Sequence, residues 1–219
     1  MGAKFLFVIA TAIAWCGSAI ADEYFNRTRV DTTVPAHCAE PDLRHFPLMQ
    51  RQVIFGIQGA VRAGFSHEYP ISRSDAQYLW MVFLGNHQNE PGILAEIRRN
   101  KLEEPFETLK LAQRSMNFTF EKEGDVLEAL AISKLSREYP SPHYFITGGI
   151  EYREKKNGDT IGELDLLVGE RDTCRIIAIG ETKLGVKQLS HAREQLRRFL
   201  NFLKFKCKES GNCSNGRHN

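Results

Sequence analysis

Cysteine is scarce in this chain and poorly spaced for zinc. Five occur in 219 residues, with no CxxC, so a zinc site is only a weak alternative. Net charge is also nearly absent. Lysine and arginine number 29 against 27 acids, a formal charge of +2, so global charge argues neither for nor against nucleic acid and only local clusters can speak. Internal repeats and low-complexity tracts are missing, which excludes solenoid architectures and compositionally biased tails.

A second long apolar run is missing too. The first, Phe5 to Trp15, follows Lys4 and precedes Ala19-Ile20-Ala21. A charged start, an apolar stretch and small residues at the two peptidase positions form the signal-peptide pattern, with cleavage expected after Ala21. As a transmembrane anchor the run is short of the ~20 residues a bilayer requires. A lipid anchor on Cys16 is disfavoured by the bulk of Trp15. The expectation is an exported chain, periplasmic or secreted, with no stable membrane insertion once the leader is gone. Cys38, Cys174, Cys207 and Cys213 then remain, an even count that points to disulfides. Cys207 with Cys213 is the easiest bridge and leaves Cys38 with Cys174, although three connectivities are open.

Residues 22–120 read as a mainly helical region. Pro35, Pro41 and Pro47 punctuate an irregular start, and Leu48, Val53, Ile54, Ile57 and Val61 are spaced more like a helix than a strand. A helix capped at Ser72 or Ser74 runs to Leu84, and two more follow over Ile93–Asn100 and Phe106–Met116, broken near Pro105. The scattered histidines form no catalytic constellation.

From residue 121 the pattern changes. Asp125 to Tyr139 is helical and ends before Pro140. Strands follow over Tyr144–Tyr152, Glu163–Val168 and Arg175–Thr182, then a helix from Ser190 to Lys206. The order helix, strand, strand, strand, helix predicts a small mixed sheet flanked by helices. Residues 207–219 read as a tail.

Asp165 falls near the middle of one strand, with Glu181 and Lys183 at the end of the next. Period-two geometry puts Glu181 and Lys183 on one face, and a hairpin brings Asp165 to face them. Asp165 sits among leucines in a run expected to be buried, where a carboxylate requires a partner. Hard carboxylate oxygens suit Mg²⁺ or Mn²⁺. A metal there would polarise a phosphoryl group and acidify a water, and the lysine could orient that water and offset developing charge. A solvated strand edge or a surface ion pair is the plainer alternative.

Gly162-Glu163-Leu164-Asp165-Leu166-Leu167 followed by Ile177-Ala178-Ile179-Gly180-Glu181-Thr182-Lys183 resembles the two core motifs of the PD-(D/E)xK nuclease superfamily. The resemblance covers residues of about 125–205. It implies a restriction-endonuclease-like αβββαβ core and Mg²⁺-dependent cleavage of DNA, less often RNA, with Mn²⁺ a substitute. It also implies Asp165 and Glu181 as metal ligands and Lys183 as the catalytic lysine. Glu128 occupies the place of an additional ligand on the preceding helix, and Gln195 that of a polar site residue on the following one. Glu128 is equally well explained as N3 of a capping box opened by Asp125, and Gln195 as a helix-surface residue. Glu163 is expected on the opposite face of its strand from the metal. Arg193, Arg197 and Arg198, with Lys155 and Lys156 on a turn, could follow phosphates without reading bases, although such charge runs are usually solvated faces.

The layout expected from sequence is therefore a signal peptide at 1–21, a helical region at 22–120, a nuclease-like α/β core at 121–206 and a tail. The reaction expected is hydrolysis of phosphodiester bonds, more often in DNA than in RNA. The rival is a nucleic-acid-binding or protein-interaction module on the same fold, with catalysis lost.

Overall fold

The computed structural model describes residues 24–29, 31–155 and 158–210. The expected leader, Lys156 and Cys213 lie outside them. Two sheets organise the chain. The larger has five strands, whose order across the sheet is β3 (His67–Glu68), β2 (Arg51–Gly56), β8 (Ile176–Lys183), β7 (Leu166–Glu170) and β4 (Tyr144–Thr147). It is mixed: β2 runs parallel to β3 and β8, while β7 is antiparallel to both β8 and β4. The smaller holds three strands in the order β1 (Phe25–Arg27), β5 (Ile150–Arg153) and β6 (Thr160–Leu164).

Each face of the large sheet carries its own apolar core. One face packs α1 (Arg73–Leu84), α2 (Pro91–Arg99), α3 (Glu103–Met116) and α4 (Glu123–Glu138). The other packs α5 (Leu189–Ser210) and the small sheet. Strand residues alternate between the two: Val53, Phe55, Leu166, Val168 and Ala178 join the α4 side, and Ile54, Leu167 and Ile179 the α5 side. Helix α4 is buried almost all round, from Val126 to Leu135, with Glu128 inside that run. A helix with so little polar face belongs in the middle of a fold.

The fold class is the mixed sheet flanked by helices that the sequence predicts, but several of its elements differ. Residues 51–56 form a strand, not a helix. Buried on both faces, β2 shows a continuous apolar run instead of alternation, so its period does not distinguish strand from helix. The N-terminal half therefore supplies β1, β2 and β3, and β2 lies inside the large sheet. Helix α3 begins at Glu103 and carries Pro105 in its first turn, where a missing N–H costs no helical hydrogen bond. The two long strands expected at 144–152 and 163–168 are each divided, so that four strands pass between the two sheets.

A disulfide between Cys38 and Cys174 joins residues 136 apart in sequence, one of the expected pairings. It fastens the N-terminal segment to the turn between β7 and β8. Among the described residues, no helix is long and apolar enough to cross a membrane.

Candidate active site

The site lies where the chain crosses from one sheet to the other. Residues 144–153 cross at Gly148-Gly149, and residues 160–170 cross at Asp165. The two crossings touch. A Cβ added to Gly148 would lie 2.0 Å from the Asp165 carbonyl oxygen and 2.2 Å from Glu128 Oε1. Only a residue without a side chain admits this approach. Asp165 is thus released from the ladder between strands, not held mid-strand as expected, and its carboxylate is free to turn toward β8.

There it accepts two hydrogen bonds from one residue. The Thr182 N–H donates to Asp165 Oδ2 at 2.8 Å and the Thr182 hydroxyl at 3.1 Å. Glu181 and Lys183, flanking Thr182, share a strand face as period-two geometry requires. The Lys183 ammonium donates to Glu181 Oε2 at 2.7 Å and lies 3.6 Å from Asp165 Oδ2. Both carboxylates therefore converge on one cation. Gly180 allows β2 to sit beside this strand: a Cβ there would be 2.7 Å from the Val53 carbonyl oxygen.

Glu181 is 0 % exposed, and its Oε1 is buried with no hydrogen-bond partner. Burial, reinforced by Asp165 and opposed by Lys183, pushes its pKa up to about 8. Burial lowers the Lys183 pKa, but Asp165 and Glu181 overcome this and hold it above the ordinary lysine value. Glu128 is buried as well. Its pKa is also pushed to about 8, by burial first, with Arg29 pulling down and Asp165 pushing up.

Glu128 does not serve as a capping residue. Asp125 takes the N3 position of α4 and accepts from the Lys122 N–H at 2.8 Å, which leaves Glu128 to reach inward, where the Arg29 guanidinium binds it. Glu163 also departs from expectation. It is half-buried and lines the same cleft as Asp165, and its pKa is raised by burial and then by Asp165.

The cleft is about 600 Å³. Its lining includes the carboxylates of Glu121, Asp125, Glu128, Glu151, Glu163 and Asp165 against three bases, Arg29, Lys122 and Lys183. A polyanion would meet net negative charge here unless cations enter with it. A smaller groove of about 280 Å³ shares Gly124, Thr182 and Lys183 with the cleft and continues toward Arg73 and Gln188. Lys183 thus stands at the junction of two grooves.

Asp165 and Glu181 fit a hard divalent cation by donor type, by convergence and by the unpartnered Glu181 oxygen. Glu128 is near but occupied by Arg29. Among the described residues the three carboxylates do not form a tight ligand cluster. Among the described residues, the trio of potential ligands with donor atoms all within 4.8 Å is His37, Cys38 and Cys174. Both thiols there are consumed by the disulfide.

Neither Gln195 nor the basic residues of α5 line the cleft. Gln195 has a buried Oε1 with no partner. Arg197 pairs with Glu194 on its own helix, and Arg198 reaches the Ile161 carbonyl at 3.5 Å. Arg193 is exposed, as is Lys155. The residues that sequence reasoning missed are Arg29, Thr182 and Lys122. Only Thr182, inside the motif between Glu181 and Lys183, had a local signal. Compared with family models, curated proteins and solved structures, the chain finds no match.

Proposed function

We propose that this chain is an exported, divalent-metal-dependent nuclease of the PD-(D/E)xK type, acting on DNA in preference to RNA. The observation that carries this reading is the convergence of Asp165 and fully buried Glu181 on the Lys183 ammonium at the junction of two grooves. Burying Glu181 among the half-buried Asp165 and Lys183 costs stability, which points to a functional role for the cluster. The Cys38–Cys174 disulfide supports an oxidising compartment.

In this reading Asp165 and Glu181 would hold Mg²⁺ or Mn²⁺, and Glu128 would add an oxygen if Arg29 released it. When bound, such an ion would supply Lewis acidity toward a phosphoryl oxygen and would lower the pKa of a nearby water. The protein's own groups do the rest. Thr182 fixes the Asp165 carboxylate through two hydrogen bonds, so its free oxygen has one orientation. Lys183, kept protonated by its two neighbours, orients the attacking water and balances charge as the phosphate becomes more negative. The closed walls around Glu181 exclude bulk water and strengthen each of these interactions.

A second reading is a nucleic-acid-binding or protein-interaction module without catalysis. One observation favours it: Arg29 is paired with Glu128, and Lys183 with Glu181. Incubating plasmid and RNA with the mature chain in Mg²⁺, Mn²⁺ or EDTA separates the two. Metal-dependent cleavage lost in Asp165→Ala and Lys183→Ala supports the nuclease. A folded, oxidised protein that cleaves neither polymer supports the module.

A further inference from the structure

Of the three bases lining the cleft, Lys183 is committed to Asp165 and Glu181, and Lys122 is exposed at its rim. Arg29 is different. Its side chain is largely buried, at 14 % exposure, and its guanidinium carbon lies 3.9 Å from the centre of the Phe118 ring. Such stacking fixes the plane of the fork. One terminal nitrogen serves Glu128, while Nε is buried with no hydrogen-bond partner. A buried guanidinium N–H without an acceptor is costly, and none of the residues described around it supplies one.

Its backbone is fixed with equal care. The Thr28 N–H donates to the Gly149 carbonyl at 2.8 Å, and Arg27 donates to the Thr147 hydroxyl at 3.0 Å. These bonds seat Arg29 over the same glycine pair that admits Asp165 and Glu128. A Cβ on Gly148 would lie 2.9 Å from an Arg29 terminal nitrogen. Arg29 is therefore an oriented, partly unsatisfied cation inside an acidic cleft.

We propose that Arg29 is the phosphate-binding residue of this site, donating from its guanidinium to a non-bridging oxygen of the substrate backbone. The assignment rests on the nuclease reading and adds a residue lying outside both motifs. A planar fork held by an aromatic ring suits a phosphate in a way that a lysine at this position does not. Because the contact is to backbone, it confers affinity and register without base preference.

The test uses the mature, oxidised chain carrying Lys183→Ala, so that bound polymer survives in Mg²⁺. Binding of labelled DNA and RNA duplexes of one sequence is followed from low to moderate salt. Adding Arg29→Ala is expected to weaken binding about tenfold to a hundredfold and to reduce the slope of log K against log salt by about 0.9 on DNA. Arg29→Lys is expected to keep the slope and recover part of the affinity. A stranded Glu128 could unfold Arg29→Ala, so Arg29→Ala/Glu128→Gln is measured beside it, with melting temperature as the folding check. If Arg29 only neutralises Glu128, the double variant regains affinity and the slope never changes, which overturns the assignment alone. If the parent protein binds neither duplex, the nuclease reading falls and the assignment with it.

Discussion

Two regions meet at the cleft, and they differ in how they carry their chemistry. The hairpin of β7 and β8 places Asp165, Glu181 and Lys183 within one short stretch of chain, and its motif can be read without a structure. The segment from β1 through Cys38 contributes Arg29 from a sequence position 99 residues before its partner Glu128. No local pattern announces it. Reactive groups held on neighbouring strands have a spacing signature, while groups delivered by a remote segment have only a three-dimensional one. The glycines at 148 and 149 are where the two regions touch.

The comparison can be broken hardest on the hairpin side. In the cleavage assay, Asp165→Ala and Lys183→Ala are each expected to lose at least ~10²-fold in rate, the lower end of what a positioned acid–base group contributes. Thr182→Val removes only the hydroxyl hydrogen bond to Asp165 and leaves the N–H bond. It should lose far less, a difference visible in the same assay. Equal losses in all three would mean that the site responds to packing and not to the named groups.

Severing the N-terminal segment should be the next largest effect, read in stability. The disulfide closes a long loop, and Cys38→Ser/Cys174→Ser is expected to lower unfolding free energy by about 2–5 kcal/mol. The shift appears as an earlier midpoint in urea. An unchanged midpoint would mean that Phe25, Val34, Leu43 and Phe46, which pack into the α5-side core, hold the segment unaided.

The seam itself comes next. Gly148→Ala adds one methyl group against Asp165, Glu128 and Arg29 together, and overpacking of this kind typically costs about 1–3 kcal/mol. It should also reduce cleavage, because the collision falls on site residues. Gly92→Ala, on a helix with nothing within 4 Å of its added Cβ, is the control and should be neutral or slightly stabilising.

The contrast also explains what the sequence disclosed. The helices α1 and α4 were legible from their stripes and stops, and Ser72 caps α1 as its position suggested, accepting from the Asp75 N–H. Glu181 and Lys183 were legible because strand periodicity turns their spacing into a shared face, whereas Asp165 reaches them from the break between β6 and β7 and not from mid-strand. Strand β2 was not, since burial on both faces erases alternation. The division of two strands at Gly148-Gly149 and Asp165 was not either, since the apolar run continues across the point where the chain changes sheets. Glu163 was misplaced for the same reason: once the strand breaks at Asp165, neighbouring residues no longer alternate between two faces of one sheet.

The last effect concerns protons. Glu128 and Glu181 have folded pKa values near 8, well above about 4.3 for an unfolded glutamate. Between these values the unfolded chain has released protons that the folded one retains, so folded stability falls as pH rises through the window and levels off above about 8. Half-buried His45, whose pKa is lowered, works the other way near neutrality, as do the depressed acids Asp42, Glu138 and Glu151 at lower pH. The difference between wild type and Glu181→Gln in EDTA isolates the contribution of Glu181. Wild type should lose melting temperature relative to the variant from pH 5.5 to 8.5. A divalent cation favours the ionised carboxylates, so Mg²⁺ should raise the wild-type melting temperature more at pH 8.5 than at pH 6, where it must displace protons. A Mg²⁺ response that is larger at pH 6, or identical in Glu181→Gln, would place the cation elsewhere and leave Lys183 as the permanent partner of both acids.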